Sequence, residues 1–191
     1  MNPPSKKKNI DLRSREYLAL QEIEAIRHQA KKTPRHGHRN DTLLLMMFRH
    51  ALRVSEAVLL RWEQVDFIQS LLHVQRMKNG RPATHPLQGD TIRALRRLQR
   101  LYPTSPHVFC TAQRVPLSPR RAHRIVAEAG KAAGLPFTIH PHMLRHSTGF
   151  YLANKGIDTR AIQAYMGHAR IENTVIYTAL DAGRFKDFWQ G

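Results

Sequence analysis

One hairpin signal interrupts a chain whose other ordered segments are patterned as helices. Residues 71–77 and 81–87 form two extended stretches joined through Asn79 and Gly80. This dipeptide is typical of a two-residue hairpin turn because both residues tolerate a positive φ angle. Elsewhere the apolar residues recur at helical spacing, with no internal repeat. The sequence therefore predicts a mainly α fold with a small antiparallel β-hairpin or sheet.

Two helices are predicted ahead of the hairpin. Residues 15–30 have apolar side chains near helical spacing, and the polar loop 31–40 then breaks the chain with a proline and a glycine. Asn40 or Asp41 can cap the second helix, which is apolar all round from Leu43 to Phe48. A helix of that kind is buried on several sides, so we expect it to form the core.

Start and stop signals predict the remaining helices. Ser55 can cap a short helix running through Trp62, which leaves Arg53 at a corner between two helices. Beyond the hairpin, the predicted helices and their signals are a helix at 89–101, one from the Ser118-Pro119 cap to about Ala133, one from Pro141 to Gly156, one from the Asp158 cap to Gly167, and one from about Glu172.

The charge balance indicates a polyanionic partner. Lys and Arg total 31 against 14 Asp and Glu, so the net charge is +17. Such a surplus is typical of nucleic-acid binding, because each neutralised phosphate releases condensed counterions; a ribosomal or membrane surface would fit the charge equally well. Two helices carry the candidate contacts to a DNA backbone: Arg96, Arg97, Arg100, Arg120, Arg121 and Arg124.

The sequence favours a cytoplasmic protein with no membrane segment. The N-terminus lacks the apolar stretch of a signal peptide, and the longest apolar run, Leu43 to Phe48, is far shorter than the roughly 20 residues that cross a bilayer. The single cysteine, Cys110, cannot form an internal disulfide and suits a reducing compartment. We expect no metal site, because the 12 histidines show no ligand-type spacing.

Residues spread along the chain together supply the parts for breaking a phosphodiester bond. That reaction needs a nucleophile, neutralisation of charge on the phosphoryl oxygens, and a proton for the leaving oxygen. Each candidate also has a simpler reading: Arg53 as an ion pair with Glu56, a hairpin lysine as a solvated charge, and a late tyrosine as core filling. The candidate catalytic residues are Arg53, Lys78, His142, Arg145, His168 and the nucleophile Tyr177.

Five short motifs carry a resemblance to a known family. They are A-L-R-V-S-E at 51–56, K-N-G at 78–80, H-P-H-M-L-R-H at 140–146, M-G-H at 166–168 and V-I-Y-T at 175–178. In this order they resemble the catalytic domain of the tyrosine site-specific recombinases of the phage integrase family. The subgroup that they resemble is the short DNA invertases of fimbrial phase variation. Ala51 departs from the glycine that the family often has there.

The resemblance implies both a mechanism and a set of partners. Arg53 and Arg145 would hold the phosphate, His142 and His168 would donate to it or help take the phenol proton, and Lys78 would protonate the departing 5′ oxygen. The implied partners are double-stranded DNA with inverted-repeat sites, further copies of the chain in a tetramer on DNA, and host DNA-bending proteins at the nucleoid. Neither cofactor nor ATP is implied.

The resemblance also divides the chain. Residues 1–14 would be a flexible basic arm, 15–180 the catalytic recombinase domain, and 181–191 a tail that docks on a neighbouring subunit or folds back on its own core. The separate N-terminal clamp domain of most relatives is not expected here. Two other functions remain open: relaxation of DNA as in type IB topoisomerases, and transcription regulation by a non-catalytic DNA-binding protein.

Overall fold

The computed structural model describes residues 15–76 and 80–178, and these form a mainly helical fold with one small sheet. The elements in chain order are α1 (Leu20–Lys31), α2 (Gly37–Arg49), α3 (Val54–Val58), a 3-10 turn (Trp62–Gln64), β1 (Val65–Asp66), β2 (Leu71–Val74), β3 (Ala83–Pro86), α4 (Gly89–Leu101), α5 (Pro119–Ala132), α6 (Pro141–Asn154), α7 (Thr159–Met166) and α8 (Glu172–Thr178). The predicted fold class is confirmed.

Helix α2 forms the centre of the main core, as its sequence predicts. Leu43, Leu44, Met46 and Met47 are fully buried, and the helix packs against α1, α4 and α6. Burial of this kind stabilises a fold by roughly 1.5 to 3 kcal/mol for each large apolar side chain. The main core therefore holds α2 in place, and the end of α2 leads directly into the corner that carries Arg53.

The predicted start of α2 at Asn40 or Asp41 is wrong. The helix begins at Gly37, where a Cβ atom would lie only 2.0 Å from the Lys31 carbonyl oxygen, so glycine permits a close approach to the end of α1. Asp41 does not cap the helix, because its carboxylate accepts a hydrogen bond from Arg27 of α1 at 2.8 Å. The polar loop is accordingly shorter than expected.

The predicted bounds of the first and third helices also differ from the structure. Helix α1 starts at Leu20 rather than residue 15. Helix α3 ends at Val58, and Arg53 rather than Ser55 is its N-cap residue. A Glu56 carboxylate oxygen accepts the Arg53 main-chain N–H at 2.9 Å, so the cap is made by a side chain inside the helix.

The sheet is larger than one hairpin, because β1 adds a third antiparallel strand in the order β1-β2-β3. The predicted hairpin pairs β2 with β3, and Leu72 lies opposite His85. His85 stacks on Tyr165 of α7 with ring centroids 3.8 Å apart. The sheet is thus attached to the helix that precedes His168.

A second, smaller core lies beneath the last three helices. It consists of Ala51, Ala153, Ile162, Met166 and Tyr177, all buried. In this cluster α6, α7 and α8 pack on the corner that follows α2. None of the helices described in residues 15–76 and 80–178 has the length and apolar character needed to cross a membrane.

Candidate active site

The corner after α2 holds Arg53 against a buried carboxylate. The Arg53 guanidinium donates to Glu56 Oε1 at 2.7 Å, and 27% of its side-chain surface remains exposed. Glu56 is buried. The simple reading of Arg53 as an ion pair with Glu56 is therefore realised, and part of the Arg53 side chain remains accessible.

Arg76, on the strand side of the corner, is a site residue that sequence reasoning missed. Its buried guanidinium donates to Glu56 Oε2 at 2.8 Å, to the Ala51 carbonyl at 3.1 Å and to the Tyr165 carbonyl at 2.8 Å. Burial lowers its pKa, and the Glu56 carboxylate opposes that shift. Arg76 joins the hairpin, the corner and α7 in one hydrogen-bonded cluster.

Arg145 lies at the bottom of the same cluster. It is 2% exposed, and it donates to the carbonyls of Ala51 and Met166, the latter at 2.7 Å. Burial, followed by the charges of Arg53 and Arg76, lowers the pKa of Arg145 to about 9. One carboxylate among three guanidinium groups leaves this cluster with a net positive charge of two.

The carbonyl of Ala51 is the meeting point of the cluster. Arg76 and Arg145 both donate to it, although they come from distant parts of the chain. Ala51 has φ of 49°, in the left-handed region where glycine is favoured and an alanine costs roughly 1 to 2 kcal/mol. The same backbone geometry explains why the family often has glycine at this position. Ala51 adopts that left-handed geometry although it is not a glycine.

His168 directly follows the end of α7, and its burial differs from the expectation. Gly167 ends α7 in the left-handed conformation, as predicted, with φ of 64°. Its position just after a helix end predicts an exposed side chain, but His168 is only 8% exposed because α8 covers it and Thr174 Oγ1 hydrogen-bonds its Nδ1 at 2.9 Å. Burial lowers its pKa to about 3, and Arg145 contributes next.

Tyr177 is buried rather than free. Its ring is 2% exposed, belongs to the second core and packs edge-on to Phe150 with centroids 5.2 Å apart. Gly149 makes room for it, since a Cβ there would lie 2.6 Å from the ring. Burial raises the pKa of the phenol to about 12, while the Arg145 charge lowers it. Tyr177 therefore fills the second core, as the simple reading predicts, and it is also within reach of the Arg145 charge.

Two histidines of α6 contact each other, and one of them, His146, also contacts the phenol. His142 is exposed and meets the ring of His146 edge-on, with centroids 4.8 Å apart. The pKa of His142 is lowered mainly because the surrounding protein partly removes the ring from water. The positive charges of Arg145 and Arg53 lower it as well. His146 is half-buried, and its Nδ1 lies 2.9 Å from the Tyr177 hydroxyl oxygen.

Residues on either side of the hairpin turn reach the site, whereas Lys78 itself lies outside the described residues. A Cβ on Gly167 would lie 2.7 Å from both Arg76 Cγ and the Arg81 carbonyl oxygen. Arg76, which follows β2, and Arg81, which precedes β3, therefore both pack against the residue that precedes His168. The glycine is required for its small size as well as for its positive φ angle.

The candidate contacts to a DNA backbone are all exposed. Arg124 lies 3.6 Å from Glu128, and the Arg96 guanidinium lies 5.6 Å from the centre of the Phe67 ring. Within the described ranges, no group of three or more His, Cys, Asp or Glu side chains could hold a metal ion. The exposed set is Arg96, Arg97, Arg100, Arg120, Arg121 and Arg124.

Comparison with known proteins identifies the family. The phage integrase family matches residues 16–184 of this chain. The match covers all six candidate catalytic residues, including Lys78. The chain belongs to the phage integrase family. The predicted resemblance, the predicted fold and the predicted enzyme class, a tyrosine recombinase, are therefore confirmed.

Members of this family that are similar to the chain include two fimbrial regulators. The type 1 fimbriae regulatory protein FimB of Escherichia coli K12 is 42% identical over 188 residues, which cover 96% of this chain and 94% of that protein. FimE of the same strain is 37% identical over 182 residues, covering 92% and 91%. The similarity extends over nearly the whole length of each.

Solved structures in the family share the fold. A XerA recombinase has a TM-score of 0.77 at 24% identity, over 91% of this chain and 64% of that one. XerH bound to its difH substrate has a TM-score of 0.74 at 21% identity, over 93% and 53%. The chain thus spans about half to two thirds of these longer proteins.

Sequence reasoning missed Arg76 and His146 for different reasons. Arg76 lies in a stretch read as a strand, where an arginine is normally exposed. His146 was part of the H-P-H-M-L-R-H motif, and its position four residues after His142 indicated a shared helix face. That spacing was the signal that could have found it. No local signal pointed to Arg76, because its partners are far away in the sequence.

Proposed function

We propose that this chain cuts and rejoins double-stranded DNA at specific sites through a 3′-phosphotyrosine at Tyr177. The DNA segment that it inverts would control fimbrial genes. The observation that carries the proposal is the convergence of the positive cluster and the phenol. Arg145 donates to the Met166 carbonyl at 2.7 Å, and Met166 packs with Tyr177 in the second core. Similarity to FimB and FimE supports inversion and fimbrial control.

The charge of the cluster suits the reaction. Arg53 and Arg145 offer planar guanidinium groups that bind phosphate oxygens in a bidentate manner. As the tyrosine oxygen attacks, the phosphoryl group gains negative charge, and a preorganised net charge of +2 stabilises that state more than the starting phosphodiester. His142 and His168 add hydrogen-bond donors or acceptors at the edge of this cluster.

The remaining step is departure of the 5′ oxygen. By family resemblance Lys78 protonates it. In the sequence Lys78 lies between Arg76 and Arg81, and both of these residues pack against Gly167. The phosphotyrosine retains the energy of the broken bond, so a second 5′-hydroxyl can attack it without ATP.

The test is covalent capture on nicked DNA taken from the protein's own genomic neighbourhood. A nick lets the leaving strand diffuse away, so a protein–DNA adduct that resists denaturant should accumulate with the natural chain. It should be absent with Tyr177→Phe. Tyr151→Phe is the matched control, because the Tyr151 ring packs edge-on to Phe48, and this variant should form the adduct normally.

Other outcomes would assign other functions. Tight DNA binding without an adduct from the natural chain would favour the non-catalytic regulator. An adduct formed at no preferred sequence, with relaxation of supercoiled plasmid, would favour a topoisomerase-like activity. Inversion of a plasmid segment flanked by inverted repeats would support the proposed recombinase.

The proposal includes an assembly on DNA at the nucleoid. Several copies, four for a complete exchange, would act together with host bending proteins. The solved XerH recombinase bound to its substrate supports DNA as the partner.

Residues 181–191 lie outside the described part of the chain. If they dock on a neighbouring copy, deleting 183–191 should abolish synapsis and leave single-site binding intact.

A further inference from the structure

The hydroxyl group of Tyr177, the candidate nucleophile, has one contact that the sequence did not predict. Nδ1 of His146 lies 2.9 Å from the Tyr177 hydroxyl oxygen, within hydrogen-bond distance. The two rings have centroids 5.7 Å apart and are tilted by 60°, so the contact is edge-directed rather than a stack. His142 and His168, the two histidines expected to help take the phenol proton, make no such contact in the described part of the chain.

The surroundings of the phenol leave few other routes for its proton. Tyr177 is 2% exposed, so bulk water does not reach the hydroxyl freely. His168 lies face to face with the tyrosine ring at 6.3 Å, and its Nδ1 is engaged by Thr174. A buried phenol that attacks phosphorus must nevertheless lose its proton as the new bond forms.

We propose that His146 is a further catalytic residue, which accepts the phenol proton on Nδ1 during cleavage and returns it during rejoining. The inference rests on the proposed function. The neutral ring carries its own proton on Nε2. As the O–H proton of Tyr177 moves to Nδ1, the tyrosine oxygen forms a bond to phosphorus. The bond from phosphorus to the 5′ oxygen breaks, and that oxygen takes a proton from the general acid, assigned to Lys78.

The charges around His146 make its basicity depend on DNA. On α6 and its cap it faces His142, Arg145 and His140; α8 contributes the Tyr177 hydroxyl, and the turn after α7 contributes His168. These groups are neutral or positive, and the one carboxylate acting on the neighbouring ring of His142 is that of Glu16, which raises the pKa of His142. Burial and this positive field lower the pKa of His146 to about 4, so the free protein holds a neutral ring that is a poor base.

A bound phosphodiester would reverse that condition. It brings negative charge to Arg145, the charged group nearest along the helix, and an anion nearby favours the imidazolium form. The base would therefore become effective only when the scissile phosphate is in place. This protects the chain from forming a reactive phenolate in the absence of DNA.

The test compares single-turnover adduct formation by the natural chain and by His146→Asn. The asparagine amide oxygen can still accept the phenol hydrogen bond near the former Nδ1 position, but it cannot take the proton. We expect an adduct rate about 10²- to 10⁴-fold lower, the range for loss of a general base. DNA affinity and the urea midpoint should be unchanged.

The pH profile separates proton transfer from a structural role. With the natural chain, the adduct rate should rise with pH and level off once His146 is neutral in the complex. With His146→Asn, the rate should keep rising with pH, because hydroxide must then remove the phenol proton. His142→Asn is the matched comparison on the same helix: it should slow the reaction and retain the levelling.

A rescue experiment covers the case in which His146→Asn is damaged in folding or DNA binding. His146→Gly leaves space for added imidazole, which should restore adduct formation in proportion to its concentration. Failure of imidazole to restore the rate would overturn the assignment, as would His146→Asn that cleaves within about threefold of the natural rate with the same pH profile. Failure of the proposed function looks different, because then the natural chain forms no adduct.

Discussion

Replacing Arg76 with methionine should destabilise the corner that carries Arg53. The change keeps most of the side-chain length and removes the guanidinium that donates to Glu56 and to the carbonyls of Ala51 and Tyr165. Both members of the Arg76–Glu56 ion pair are essentially buried, with side-chain exposures of 0% and 1%. Breaking such a pair leaves a buried charge short of a partner.

The expected loss is about 3 to 5 kcal/mol in the free energy of unfolding, the range for removing one member of a buried ion pair. Arg124→Met is the matched control. Its partner Glu128 is 3.6 Å away with exposures of 58% and 69%, so the loss should be about 0.5 kcal/mol or less. Urea denaturation followed by circular dichroism measures both.

A loss below about 1 kcal/mol for Arg76→Met would refute the reasoning, since it would mean that water or a rearranged side chain satisfies Glu56. A double-mutant cycle with Glu56→Gln checks the pair itself. We expect a coupling energy of about 1 kcal/mol or more. Additive effects would show that the stability comes from the carbonyl contacts alone.

Three further results are expected. Gly149→Ala places a carbon 2.6 Å from the Tyr177 ring, so the ring must shift; single-turnover adduct formation should fall by about 10²-fold, and an unchanged rate would contradict a fixed ring position. Burial lowers the pKa of His50 to about 3, of His85 to about 4 and of His168 to about 3, all from 6.5. The unfolded chain therefore binds more protons below pH about 6.5, and the free energy of unfolding should fall with decreasing pH, by up to about 4 kcal/mol per pH unit for the three rings together. Urea titrations at several pH values measure this, and a flat profile from about pH 7 to 5 would count against it. Replacing the three exposed arginines that begin α5 with alanine should reduce the slope of log Kd against log salt by about 3; an unchanged slope would place them away from the DNA.

Local patterns were sufficient for much of the fold. The apolar run from Leu43 to Phe48 predicted the central helix, because a segment that is apolar on all sides must be buried on several. Pro119 and Gly167 predicted a helix start and a helix end, since each imposes a backbone geometry that depends little on distant residues. The start of α2 was missed because it depends on a contact with α1.

The sequence by itself determined the identity of the candidate catalytic residues and the class of reaction, because motif spacing and residue chemistry are local properties. Only the tertiary structure decided how those residues are held. Burial of Tyr177 and His168 arises from packing of α8 on α6 and α7. Arg76 and Arg145 both donate to the Ala51 carbonyl, and His146 contacts the Tyr177 phenol. The residues joined by these contacts are up to 94 positions apart. Such contacts depend on which surfaces meet when the chain folds; the spacing of His142 and His146 predicts only a shared helix face.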